Sequence, residues 1–142
     1  MLKIILNYTM AYFFTMFLVV YLLKIPFMMN AYDGDNNLVE EYYIDNYVKY
    51  IIFDYFLVLI YILLASSIIW MFNIKSDCNK ILIVILTTII ISSSFGYYYL
   101  NNDKTSSFFS RWFHTVGYLA VLYDIILVGM VYIVYNYMDN NV

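Results

Sequence analysis

The sequence predicts an all-α, polytopic membrane protein with four transmembrane helices in an antiparallel bundle. The chain of 142 residues is 65% hydrophobic and 12% charged, whereas a soluble domain is about half apolar and a quarter charged. A soluble chain of this length could not bury so much apolar surface in its own core. The apolar residues fall into four long runs, and about 20 apolar residues suffice for a helix to cross a bilayer. We therefore expect a single membrane domain over residues 1–142.

The four apolar runs define the predicted helices, which cover residues 4–24, 50–72, 81–100 and 106–137. The first run lacks a small-residue cleavage site and is too long for a signal-peptide core, so we expect it to be retained as a helix. Lys24 and Pro26 end it, because proline removes a backbone donor and disfavours helix in the residue before it. The short polar loop at 73–80 makes the second and third helices antiparallel neighbours.

Between the first two runs lies a polar stretch, residues 30–46, which we interpret as a solvated acidic loop. It carries five acids and no basic residue: Asp33, Asp35, Glu40, Glu41 and Asp45. Four crossings place this loop and residues 101–107 on one side of the membrane and both chain ends on the other. Lysine and arginine number three on the terminal side and four on the loop side, so the positive-inside rule selects no orientation.

Two acids inside the apolar runs are the main candidate site. Asp54 follows the start of the second run, and Asp124 stands deeper in the fourth. At a rise of about 1.5 Å per residue, both fall in the same half of the membrane as Ser92, Ser93 and Ser94. Acids within membrane helices face protein or water rather than lipid.

Two interpretations of these acids remain open. In one, they line a polar pocket or a proton path. In the other, Asp124 bonds Ser92, Ser93 or a backbone carbonyl, and Asp54 reaches water or Arg111, so that both lock the bundle. The sequence favours the second, because four short helices would have to oligomerise to enclose a transport path.

Small residues predict a close contact between the third and fourth helices. A spacing of four places each set on one helix face, and small residues let membrane helices approach closely. The two sets are Thr88, Ser92 and Gly96 on the third helix, and Gly117, Ala120 and Asp124 on the fourth.

The start of the fourth run predicts a helical segment at the membrane surface. Phenylalanine and serine alternate here with Arg111, Trp112 and His114. Aromatic residues concentrate where headgroups meet hydrocarbon. We therefore expect these three side chains to be interfacial.

Composition argues against several functional classes. A net charge of −3 offers no basic surface for phosphates, so no nucleic acid is expected as a partner. With one cysteine and one histidine, we expect neither a metal site nor a bound cofactor. Motifs of a catalytic nucleophile, a phosphate loop or a metal triad do not occur in the sequence. The protein is therefore not expected to be an enzyme.

The last forty residues resemble small four-span membrane proteins of giant viruses, the nucleocytoplasmic large DNA viruses. The resemblance is carried by SSFFSRWF at residues 106–113, by Gly117, and by AVLYD at residues 120–124. It implies a component of the virion's internal membrane, or of host membranes remodelled during assembly, and it brings no catalytic residues. The many Tyr and Phe codons beside only 4 Gly and 1 Pro also indicate an AT-rich genome.

These observations predict a structural or organising role. We expect the protein to bind the lipid bilayer and other membrane or capsid proteins, or copies of itself. One alternative is a small ion or proton transporter or channel that uses Asp54 and Asp124. Another is an accessory subunit of a protist mitochondrial membrane complex, which would share the AT bias and the aromatic load.

Overall fold

The computed structural model describes residues 2–141 and confirms the all-α fold. Helix α1 spans Leu2–Met16 and continues as a π-helix over Phe17–Leu22. Three further long helices follow: α3 at Tyr47–Met71, α4 at Asp77–Leu100 and α6 at Leu119–Asn141. Within the described residues, these four helices are long and apolar enough to cross a membrane.

The segment between α1 and α3 folds as a cap on the end of the bundle. It comprises a 3-10 helix at Pro26–Met29, a two-stranded antiparallel hairpin, and helix α2, Leu38–Glu40, which continues as a π-helix over Glu41–Asp45. The hairpin strands are β1, Tyr32–Asp33, and β2, Asn36–Asn37. Asn37 caps α2, since its side chain accepts bonds from the next turn of backbone.

The cap segment, residues 26–45, differs from the solvated loop that we expected. Ala31, Leu38, Val39, Tyr42 and Tyr43 are each at most 4% exposed. Asp35, Glu40 and Asp45 are exposed, whereas Asp33 and Glu41 are partly buried and pair with Lys104 and Arg111. The buried side chains of the cap were not predicted, because the segment carries many charges and has no long apolar run.

Helix α6 is the centre of the bundle. It packs along α1 on one side and α4 on the other, and α4 also packs against α3. Tyrosine hydroxyls join α1 to α3: Tyr8 donates to the Tyr55 carbonyl at 2.6 Å and Tyr12 to the Ile51 carbonyl at 2.7 Å. Hydroxyl groups can make such bonds where no water is available to backbone carbonyls.

Contacts at the two ends of the bundle agree with an antiparallel arrangement. At one end, the Asn7 amide donates to Asp139 at 3.4 Å, which joins the first and last helices. At the other end, Lys104 pairs with Asp33 at 2.5 Å, which joins the loop after α4 to the cap. The start of α1 and the end of α6 therefore lie opposite the cap.

The predicted fourth helix, 106–137, is two helices in the structure. Helix α5 spans Phe108–Val116 and ends at Gly117, before α6 begins at Leu119. Gly117 has φ 58° and ψ −136°, a conformation that is favourable only for glycine. Its backbone N–H donates to the Phe113 carbonyl at 2.9 Å. The expected role of Gly117 in packing is wrong, because no atom lies within 4 Å of where its Cβ would stand.

Candidate functional site

Asp54 and Asp124 line one cavity of about 150 Å³. The cavity lies between α3, α4, α5 and α6 and below the cap. Eleven of the seventeen described residues that line it are aromatic, two are the acids, and four are aliphatic. Both acids therefore face a space that is otherwise bounded by rings and hydrocarbon.

Asp54 is held by two tyrosines from the cap. The Tyr42 hydroxyl donates to Oδ1 at 2.5 Å, and the Tyr43 hydroxyl donates to Oδ2 at 3.5 Å. The side chain of Asp54 is 7% exposed. These two tyrosines differ from the water or Arg111 that the sequence led us to expect. The cap places their hydroxyls at Asp54, whereas Arg111 is paired with Glu41.

The Tyr43 hydroxyl links the cap to α6 as well as to α3. It lies 2.6 Å from the Tyr123 hydroxyl, and either oxygen can be the donor. The backbone carbonyl of Tyr43 also accepts a 2.9 Å bond from Tyr21 of the first helix. One cap residue thus connects three spanning helices.

Burial of the two cap tyrosines preserves them as donors. Removal from water raises the pKa of the Tyr42 phenol, and the nearby Asp54 carboxyl raises it further. The pKa of Tyr43 is also raised, first by burial and then by the adjacent Tyr123. Because both phenols stay protonated, each keeps an O–H for the hydrogen bonds described above.

Asp124 is held by α4. The Ser92 hydroxyl donates to its Oδ2 at 2.6 Å, and Ser92 is completely buried. Asp124 itself is partly accessible and borders the cavity. The structure therefore selects Ser92 among the three partners that the sequence allowed.

The other two serines of the predicted site stand away from Asp124. Ser94 is exposed and donates to the Ile90 carbonyl of its own helix at 2.7 Å. Ser93 is partly exposed and does not line the cavity. Successive helical residues point in directions about 100° apart, so only Ser92 of this run faces α6.

Only part of the predicted contact between the third and fourth helices is found in the structure. Thr88, Gly96 and Ala120 are buried, and their helices α4 and α6 pack together. Thr88 donates to the Val84 carbonyl of its own helix at 2.8 Å. A Cβ on Gly96 would lie 3.4 Å from the rings of Phe113 and Tyr118. Gly96 therefore makes room for aromatic rings from α5 and its following turn, rather than for Gly117.

Helix α5 covers the cavity. Its Phe108, Trp112 and Phe113 are each at most 9% exposed and border the space beside Asp54 and Asp124. The expectation that Trp112 sits at the lipid interface is therefore wrong. The spacing of Phe, Ser, Arg and Trp in α5 does not distinguish a helix at the lipid interface from one that covers a cavity, because each has one apolar and one polar face.

Arg111 and His114 lie on the more polar face of α5. The Arg111 guanidinium donates to both oxygens of Glu41, at 2.8 and 2.6 Å. The His114 Nδ1 lies 2.8 Å from the Ser110 carbonyl. The paired ends of Arg111 and Glu41 clamp α5 to the cap, and this geometry is the strong form of a carboxylate–guanidinium contact.

The clamp has an electrostatic signature. The bond from Arg111 lowers the pKa of Glu41 below its ordinary value of 4.5, and the same bond raises the pKa of Arg111. Each shift favours the charged form, so the pair is ionised at neutral pH.

Sequence reasoning missed the tyrosines that complete this site. Tyr42 and Tyr43 stand within an acidic segment, and phenols are common throughout a chain with 18 tyrosines. The signal that could have found them is the pair of adjacent aromatics in a polar stretch, since large rings are rarely left in a solvated loop.

Comparison of the chain with protein-family models, with curated proteins and with solved structures found no match. The class of protein therefore follows from the fold alone: an α-helical membrane protein with four candidate spans.

Proposed function

We propose that the protein is a structural or organising component of a membrane, where it binds lipid and other membrane proteins. One observation carries this proposal: the intramembrane acids accept hydrogen bonds from within the bundle, whereas the outward surface is apolar. Ser92 binds Asp124, and Tyr42 binds Asp54. The exposed side chains of the spans include Phe14, Phe56 and Leu63, each more than half exposed.

Such a surface suits lateral association in a bilayer. Helices in lipid associate through packing and hydrogen bonds rather than through the hydrophobic effect. The outer rings of α1 and α3 offer large, rigid contact area to a neighbouring protein or to acyl chains. We propose the internal membrane of a giant virus as the location, on the strength of the resemblance and the AT-rich composition.

Photo-crosslinking tests the organising role. A benzophenone amino acid replaces Phe56 on the outer face of α3, and in a separate variant it replaces Trp70, which is 85% exposed near the end opposite the cap. A partner protein of fixed mass should be captured at Phe56 and not at every outward position. Adducts with lipid alone at both positions would leave no protein partner to organise.

Fractionation tests the location. Purified virions and host organelles are compared by quantitative proteomics after infection with the source virus. Enrichment with the virion membrane supports the proposal. Enrichment in mitochondria would favour the accessory-subunit alternative instead.

Transport is a second candidate because two acids share one cavity. Proteoliposomes containing the purified chain are assayed for proton or cation flux. Flux that disappears in Asp124→Asn, in a variant that still folds, would replace the structural role with transport. Wild-type proteoliposomes no leakier than empty ones would remove this candidate.

A further inference from the structure

The cavity beside Asp54 and Asp124 has the chemistry of a cation-binding site. Among its described lining residues, none is Lys, Arg or His, although two can carry negative charge. Buried carboxylates are costly without a compensating positive group. Arg111, on the helix α5 that borders the cavity, is already engaged by both oxygens of Glu41.

The aromatic walls narrow the kind of cation. Rings attract a cation placed over their faces, and aromatic cages are the usual receptors for quaternary ammonium groups. Rings enter the cavity from every side: Tyr42 from the cap, Phe53 from α3, Tyr99 from α4, Trp112 from α5 and Tyr123 from α6. An inorganic cation would instead need several oxygen ligands.

The existing hydrogen bonds further restrict the kind of cation that the cavity can bind. Tyr42 and Tyr43 already donate to the two oxygens of Asp54, and Ser92 already donates to Asp124. A quaternary ammonium has no N–H to donate, so it needs only the charge of the carboxyls and not their lone pairs. An apolar cavity of about 150 Å³ accommodates a molecule the size of benzene, and a trimethylammonium group is of similar bulk.

The rim of the cavity lies on the outer surface of the helices. Phe53 and Phe95 line the cavity and are 45% and 44% exposed. Phe53 lies six residues after the start of α3, about 9 Å along the helix axis. The opening therefore lies near the level where lipid headgroups meet hydrocarbon.

We propose that this cavity binds an organic ammonium group, held by the charges of Asp54 and Asp124 and by the surrounding rings. The ammonium comes from the headgroup of a choline phospholipid or from a free quaternary amine. This site does not depend on the organising role, which is tested separately by its captured partners.

Choline binding to the purified full-length chain tests the site. The chain is kept in a maltoside detergent, which has no ammonium group of its own. In a Trp70→Phe background, Trp112 is the remaining tryptophan, and it lines the cavity. Choline should change its fluorescence saturably, and equilibrium dialysis with labelled choline should give one site per chain.

Matched probes and variants separate charge recognition from simple filling of space. The neutral carbon analogue of choline, 3,3-dimethyl-1-butanol, should bind at least about tenfold more weakly. Asp54→Asn and Asp124→Asn should each weaken choline binding by a similar factor, and either variant suffices if the other misfolds. Asp45→Asn removes a charge from an exposed position of the cap and should leave binding unchanged.

Nanodiscs distinguish the two sources. If the headgroup is the ligand, choline should bind more weakly in phosphatidylcholine discs than in phosphatidylglycerol discs, because the lipid competes. Equal binding in both assigns the site to a free amine. Equal affinity for choline and its carbon analogue, unchanged binding in both folded Asn variants, or no saturable binding in detergent or in phosphatidylglycerol would each overturn the proposal.

Discussion

Ser92 and Asp124 form the polar contact between α4 and α6, with 2.6 Å between the serine oxygen and Oδ2. They are 32 residues apart, and they meet because both lie on the faces along which the two helices pack. The bond satisfies an acid inside a spanning helix while leaving that acid at the edge of the aromatic cavity. Asp124 therefore takes part both in the helix contact and in the cavity.

Substitutions of Asp124 should show whether its side chain stabilises the fold through its size or through its hydrogen bond. Asp124→Asn keeps an acceptor for Ser92 and should have nearly wild-type stability. Asp124→Leu keeps only bulk, and Ser92→Ala removes the donor. Each should lower the free energy of unfolding in detergent by about 0.6 kcal/mol, and by no more than about 1.7. Ser94→Ala is the control, since Ser94 is exposed and bonds its own helix. A Leu variant as stable as wild type would show that the bond contributes nothing.

Enlarging Gly96 should push aromatic rings out of place. A Cβ here already meets Phe113 and Tyr118 at 3.4 Å, so Gly96→Leu should lower stability by about 1–3 kcal/mol, as overpacking does. Ala120→Leu should do the same, because Ala120 is 1% exposed. Gly129→Ala is the control, since no atom lies within 4 Å of its added Cβ. Denaturant titration in mixed micelles measures all three, and full tolerance of both Leu variants would contradict this packing.

Gly117 should resist substitution for a reason unrelated to space. Gly117→Ala meets no neighbour, yet it forces a side chain into φ 58° and ψ −136°. Such strain costs about 1–3 kcal/mol. Gly129→Ala again serves as the control, because that glycine lies inside a helix where alanine is favourable. Equal stability of the two alanine variants would mean that α5 and α6 can join as one helix.

The clamp between Glu41 and Arg111 should make the attachment of the cap depend on pH. The pKa of Glu41 is lowered in the folded protein, so its contribution is complete above the ordinary value of 4.5 and is lost as pH falls through the lowered pKa. Glu41→Gln should therefore cost about 1 kcal/mol at pH 7, and this cost should shrink as the pH falls below 4.5 and through the lowered pKa of Glu41.

An exposed ion pair provides the comparison for this effect. Asp77 pairs with Lys80 at 2.9 Å, but its side chain is 63% exposed, whereas that of Glu41 is 28% exposed. Asp77→Asn should change stability little at pH 7. Proteolysis of the cap is used to measure unfolding of both variants. An effect of Glu41→Gln that does not change with pH would exclude the clamp as its cause.

The native cysteine can report the topology. Cys78 is free and exposed, and it lies at the end of α4 that is opposite the cap. Asp35 is exposed at the turn of the cap hairpin. In sealed vesicles, an impermeant maleimide should label Cys78 in the wild type and the new thiol in Cys78→Ser/Asp35→Cys from opposite faces. Labelling from the same face would mean that α3, the spanning helix between the two positions, does not cross.

Much of the architecture was predictable because it depends on local composition. Each spanning run satisfies its own backbone as a helix, so its length and apolarity predict a crossing without knowledge of its neighbours. The shared half-membrane of Asp54 and Asp124 follows from counting residues along antiparallel helices. Helix α4 begins at Asp77 instead of residue 81, since an acid in the first turn and its pairing with Lys80 extend it.

The sequence alone thus predicted a membrane protein with four candidate spans and placed both acids within those spans. Only the tertiary structure decided what the acids touch. Tyr43 meets Tyr123 from 80 residues away, which depends on how each helix is rotated about its axis. Rotation is set by the packing of whole helix faces. Small residues at a spacing of four indicated the face of α4 that carries Ser92, but α3 is too uniformly apolar for its face to be predicted in this way. The folded cap has the same origin, because it forms where other elements pack against it, whereas the break at Gly117 rests on the backbone conformation of that glycine.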